Sequence, residues 1–240
     1  MKRNPIDGSE MLWIPEGDFL MGSRANEGEE DEFPQRRVSL DGYWIGKNTV
    51  TVERYIDFCT ATRYEYDWLG HEPKWGWQDK HPMTAVTWDE ARAYAQWAGG
   101  DLPTEAQWEK AARGRDGRNY PWGDSWDSGK CVNSASYPQK AGSLPNSASP
   151  YGALDMTGNT LQWCLDWYDK TYYAYAPLHN PNGASRGTFR VLRGGSWVYA
   201  TPRYFRCAHR SNLLLPDVRY SVVGFRYASL SIKSTEAPVL

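Results

Sequence analysis

Apolar and polar positions along this chain fall into short, interrupted patterns, and three segments keep a helical period. Thr51 to Thr62 (TVERYIDFCTAT) sets Val52, Tyr55, Ile56 and Cys59 on one stripe, which predicts an amphipathic helix. Thr87 to Ala98 (TWDEARAYAQWA) predicts a second, opened by a capping box in which Thr87 meets Glu90 three residues on. A third, Thr104 to Arg113, has Pro103 ahead of it, Thr104 and Gln107 as cap partners, and Gly114 as its stop. Alternating apolar residues over Met11 to Phe19 and over Arg37 to Trp44 predict strands, with another around Leu161 to Asp166. The acidic run Glu27 to Glu32 reads as a solvated loop. From Gly114 to about Arg190 the chain is otherwise mostly Gly, Asn, Ser, Pro and Tyr.

Such long loops need something to hold them, and the composition supplies it. The chain has 13 Trp, 16 Tyr and 6 Phe in 240 residues, and large rings fill space between loops where regular elements are few. The 22 Gly and 15 Pro are spread throughout, with no repeat, low-complexity tract or charged linker, so residues 1–240 read as one domain with a core of about 11–228. With 27 basic against 29 acidic side chains the chain lacks the basic surplus of a nucleic-acid binder. No apolar run approaches a membrane span, and MKRNPIDGSEMLWIPEG lacks the apolar stretch of a signal peptide. The expectation is a chain without membrane insertion, cytoplasmic by default.

Candidate chemistry is sparse. Cys59, Cys131, Cys164 and Cys207 stand singly, without a metal or redox spacing, and read as small buried apolar residues. His71, His81, His179 and His209 form no ligand motif, and no nucleophile elbow, phosphate loop or HExxH is present. Asp166 and Asp217 read as structural partners of nearby arginines rather than catalysts.

The order of short motifs is more telling. IPEGDFLMGS (Ile14 to Ser23), GYWIGKNTVTVERYIDFC (Gly42 to Cys59), the stretch His81 to Gly114, YPWGD (Tyr120 to Asp124), YGALDMTGNTLQWCLDW (Tyr151 to Trp167), RVLRGGSW (Arg190 to Trp197) and GFR (Gly224 to Arg226) run collinearly. Together they resemble the formylglycine-generating-enzyme, or sulfatase-modifying-factor, domain. The resemblance implies an α+β fold of the C-type lectin kind: a small twisted antiparallel sheet, two flanking helices and long packed loops. Enzymes of that family oxidise a client cysteine with a copper-binding cysteine pair. Here Tyr199 stands where the first of that pair would be, and no cysteine follows before Cys207, whose place matches a non-catalytic position. The resemblance therefore implies a non-enzymatic member. The alternative is a divergent family enzyme or maturation factor with altered chemistry involving Cys207 or His209.

Between GGSW and GFR the skeleton Arg206, Ala208, Arg210, Pro216, Asp217 and Arg219 resembles that of the variable proteins of diversity-generating retroelements. In those proteins adenine-directed mutagenesis rewrites Asn codons, which then never encode Lys, Glu, Gln, Met or Trp. These five types make up 46 of the 240 residues, yet the 26 residues from Val198 to Val223 contain none; composition alone would put roughly five there. The resemblance implies a ligand-binding surface made of Val198, Tyr199, Ala200, Pro202, Arg203, Tyr204, Phe205, His209, Ser211, Asn212, Leu213, Leu214, Leu215, Val218, Tyr220, Ser221, Val222 and Val223. The competing reading is a hydrophobic strand and loop of the core. The implied partner is a protein or other macromolecule, met at the cell surface if the chain is a trimmed variable protein. No cofactor is required, although the family also implies a structural calcium at Asp155, Gly158, Thr160 and Gln162, where Gln162 replaces a usual acid.

Overall fold

A computed structural model describes residues 1–211 and 214–232. Among the described residues nine short strands and four α-helices are joined by long loops. The largest sheet has the order β1 (Lys2–Arg3), β2 (Glu10–Ile14), β5 (Tyr43–Gly46) and β9 (Ala228–Ser229), all antiparallel. β3 (Gly17–Met21) and β4 (Arg36–Leu40) form a separate antiparallel ribbon. The expected strands over Met11 to Phe19 and Arg37 to Trp44 are thus each broken in two. Pro15 ends the first because it has no N–H for a sheet ladder, and the buried Lys110 ammonium closes that turn by donating to the carbonyls of Pro15 (2.7 Å) and Gly17 (2.8 Å).

The three periodic segments fold as helices α1 (Val52–Thr62), α2 (Trp88–Trp97) and α3 (Glu105–Arg113), with both capping boxes formed. In α1 the buried stripe is Val52, Tyr55, Phe58 and Cys59; Ile56, expected inside, is 41% exposed. α3 is buried on nearly every side, including Glu105, Glu109, Lys110 and Arg113. β6 (Leu161–Trp167) is the centre of a third sheet, between β7 (Arg190–Arg193) and β8 (Val223–Gly224). Its pairing with β8 is parallel. A short α4 (Tyr172–Tyr175) follows β6.

Two large cores result, one around α1, α2 and β8, the other around α3, the ribbon and α4. All four cysteines are free and buried, as expected. Among the described residues no helix is long and apolar enough to cross a membrane.

Candidate ligand-binding face

The segment that carries the candidate face leaves the third sheet at Gly194 and Gly195, whose φ angles of +97° and +72° favour glycine. A Cβ on Gly195 would sit 2.7 Å from the Phe205 ring, so the turn and that ring are fitted to each other. The chain is then pinned to an outer loop: Trp197 N–H donates to Asn159 O (2.9 Å), Ser134 N–H to Tyr199 O (2.9 Å) and Ala135 N–H to Trp197 O (2.8 Å).

Its middle is held by charge. Arg206 makes a bidentate pair with Glu32, both contacts at 2.6 Å, and Ser23 Oγ donates to the same carboxylate. Arg210 makes a second bidentate pair, with Glu105 (2.7 and 3.0 Å). Arg193 of β7 joins Glu105 (3.2 Å) to Glu109 (2.5 Å) and donates to the carbonyls of Cys207 and Ala208. Arg113 closes the array on Glu109 at 2.7 Å. Planar guanidinium forks match carboxylates in two bonds at once, which compensates for taking both ions out of water. The acidic run expected to be solvated is therefore split: Glu27, Glu29 and Glu30 are outside, whereas Asp31 is 9% and Glu32 0% exposed.

Burial divides the residues assigned to the binding surface. Val198, Ala200, Pro202, Arg203, Leu215, Val218 and Ser221 are exposed, and Tyr199, Tyr204, Leu214, Tyr220 and Val222 are half-buried. Phe205, His209, Ser211 and Val223 are buried, which corrects their assignment to the surface. Phe205 stacks on Trp126 (5.0 Å), Ser211 exchanges backbone hydrogen bonds with Leu192, and Val223 pairs with Leu161 in the parallel ladder. His209 packs against Tyr204 and lies beside the Glu32–Arg206 pair. Asn212 and Leu213 lie outside the described residues. Tyr199, Leu214, Tyr220 and Val222 all pack on the margin of the first core. Tyr199 and Tyr204 contact each other at 5.2 Å, with Arg203 over the Tyr204 ring at 4.8 Å.

Three aromatics outside the segment flank it and were not singled out from the sequence. Trp75 meets Trp197 edge-on at 5.4 Å, and Trp122 and Trp126 join Tyr199 around Phe205. Trp122 is part of the YPWGD motif, but that motif carries no signal of its place beside the face. Of the single carboxylates, Asp166 accepts the Glu105 N–H that opens α3 (2.8 Å), while Asp217 is exposed and forms no ion pair among the described residues.

Two of the expected calcium ligands, Gln162 and Asp155, have side-chain atoms engaged within the protein. Gln162 Oε1 accepts from Trp108 Nε1 (2.9 Å) and Arg226 Nε (2.6 Å), and Gln162 Nε2 donates to the carbonyl of Asp155 (2.6 Å). One oxygen of the Asp155 carboxylate takes the Gly142 N–H (2.7 Å). Thr160 Oγ1 is buried without a partner. The fully buried Arg226 guanidinium, bonded also to the carbonyls of Gly46 and Leu154, brings positive charge to Gln162, so the Gln162 side chain does not fit the role of a calcium ligand.

Cysteine chemistry meets a similar obstacle. Burial pushes the Cys207 thiol up to about 12 and that of Cys131 to about 12, which holds them in the thiol form rather than as the nucleophilic, metal-binding thiolate.

Comparison with known proteins places this arrangement. The chain is 33% identical to the formylglycine-generating enzyme of Streptomyces coelicolor, with 90% of this chain and 88% of the enzyme covered. It is 36% identical to the serine/threonine-protein kinase pkn1 of Chlamydia caviae over 92% of its own length, but spans 38% of that kinase. The structure of PvdO from Pseudomonas aeruginosa superposes with a TM-score of 0.82 at 23% identity, covering 95% of this chain and 96% of that one. Treponema denticola variable protein 1 does so with 0.75 at 22%, covering 92% and 95%. Its fold is that of these proteins, and a family model matches residues 1–230: the chain belongs to the sulfatase-modifying factor enzyme 1-like domain family.

Proposed function

We propose that this chain is a ligand-binding protein that performs no chemical step, and that it presents the outward side chains between Val198 and Val222 to macromolecular targets. The observation that carries this reading is the split burial within one segment. Arg206 and Arg210 are locked into the interior, while Val198, Arg203, Leu215 and Val218 on either side face outward. A segment anchored in this way changes its exposed side chains without changing its backbone, which is what a diversified surface requires. The absence of Lys, Glu, Gln, Met and Trp between Val198 and Val223 fits rewriting of Asn codons. The variable-protein fold of the Treponema denticola neighbour is compatible with the same use.

The native locus tests the reading. A nearby reverse transcriptase and a second copy of the segment, with Asn codons at the outward positions, are expected; their absence would overturn it. A family enzyme is the second reading, favoured by the 33% identity to the Streptomyces coelicolor enzyme. It predicts copper or iron retained through purification and turnover lost in Cys207→Ser or His209→Gln. The buried Cys207 thiol and Tyr199 in the place of the first cysteine weigh against it.

A further inference from the structure

Beside the candidate face, the hairpin that begins at Tyr120 builds a second concavity from scaffold residues. Tyr120 and Gly123 exchange both backbone hydrogen bonds (2.8 and 3.0 Å), and the Trp122 indole is fixed by its Nε1–H, which donates to Ser125 O (2.9 Å). Tyr120 stacks on Trp122 at 5.4 Å and 8°, and Phe205 stacks on Trp126 at 5.0 Å and 27°. Each indole is thus backed by a buried ring while remaining half-exposed itself. The two indoles stand 6.2 Å apart at 49°, and both line an open cavity of about 550 Å³.

Charge decides what such a cavity receives. Asp124 and Asp127 stand at its rim, exposed, each using one oxygen on a local backbone N–H: Asn119 at 3.0 Å and Gly129 at 2.9 Å. Among the described residues Lys130 is the one cation of the lining, 4.0 Å from Asp127, and Arg118, the other cation that acts on Asp124, is held bidentately by Asp116, so the rim keeps a net negative charge. Aromatic faces are themselves electronegative and attract cations, most strongly at Trp. We propose that Trp122 and Trp126, with Asp124 and Asp127 as counter-charges, form a binding site for an organic cation of the methylated-ammonium class. The site lies outside the diversified segment and does not depend on the function proposed above.

The test titrates the intact chain with choline, with its uncharged isostere 3,3-dimethylbutanol and with methyl β-glucoside, read by tryptophan fluorescence and calorimetry. Choline is expected to saturate at about millimolar concentration, with the isostere at least about fivefold weaker. Trp122→Leu, and separately the double variant Asp124→Asn with Asp127→Asn, should each weaken choline by about fivefold or more. Lys130→Ala, which removes the competing ammonium, should tighten it. Circular dichroism checks that the variants fold, and the exposed carboxylate pair decides the matter if Trp122→Leu does not. Equal binding of choline and its isostere, glucoside binding in place of choline, no choline binding up to about 50 mM, or binding unchanged in the variants would each overturn the proposal.

Discussion

Within the 26 residues that follow GGSW, two regions obey opposite rules. Residues 206–211 are buried, and side-chain partners fix the two arginines among them: Glu32 for Arg206 and Glu105 for Arg210. On either side, Val198, Leu215 and Val218 meet solvent, as does Arg203, whose contacts are with exposed Glu29 and half-buried Tyr204. A buried ion must be paired and hydrogen-bonded almost completely, so one change there strands a charge. An exposed side chain away from such features can usually be replaced within about 0.5 kcal/mol. The fold can tolerate variation at the flanks because Arg206 and Arg210 anchor the middle.

The sharpest way to break this contrast is at Glu105, which serves both Arg193 and Arg210 with less than 2% of its surface exposed. Glu105→Gln should cost about 4 kcal/mol, measured by denaturant unfolding; a cost near that of a surface change would remove the anchor from the picture.

His209 comes next, through pH. Burial first, with the guanidinium groups of Arg193, Arg206 and Arg203 adding to it and Glu32 opposing, pushes His209 down to about 4 from 6.5. The native state therefore keeps it neutral where the unfolded chain takes up a proton. Its contribution makes stability fall as pH drops from 6.5 towards 4, by up to about 3 kcal/mol. Asp166, raised by burial and then by Glu105, works in the opposite sense, so the difference between the parent and His209→Gln isolates the histidine. That difference should grow in favour of the variant as the medium is acidified.

Gly195→Ala probes the turn that delivers the face, with φ of +72° and a Cβ 2.9 Å from Tyr204 O. A loss of about 2 kcal/mol is expected, read from the thermal midpoint. Smallest of all, Leu215→Ser with Val218→Ser should move stability by no more than about 0.5 kcal/mol while abolishing target binding. Loss of folding in that variant would mean that the flanks are core after all.

Much of the framework was legible because its signals are local. Both capping boxes sit where Thr87 with Glu90 and Thr104 with Gln107 place them, since a cap involves residues three apart. The tryptophans were less transparent. Trp88, Trp108 and Trp163 are buried, but Trp75, Trp122, Trp126 and Trp197 are half-exposed around the candidate face, so the scaffold rings are not all interior filler. Nothing in the composition distinguishes an indole that fills a core from one that borders a surface.

The sequence by itself determined the family, the three longer helices and the boundaries of the segment between two fixed motifs, because these reside in contiguous residues. Only the tertiary structure decided which side of that segment faces water. Glu32 and Arg206 are 174 residues apart, and Glu105 and Arg210 are 105 apart. Their pairing turns an acidic loop inward, carries Phe205, His209 and Ser211 with it, and leaves Val198, Leu215 and Val218 outside. Burial of a charge depends on whether its partner arrives, and that is settled by the path of the whole chain rather than by the residues beside it.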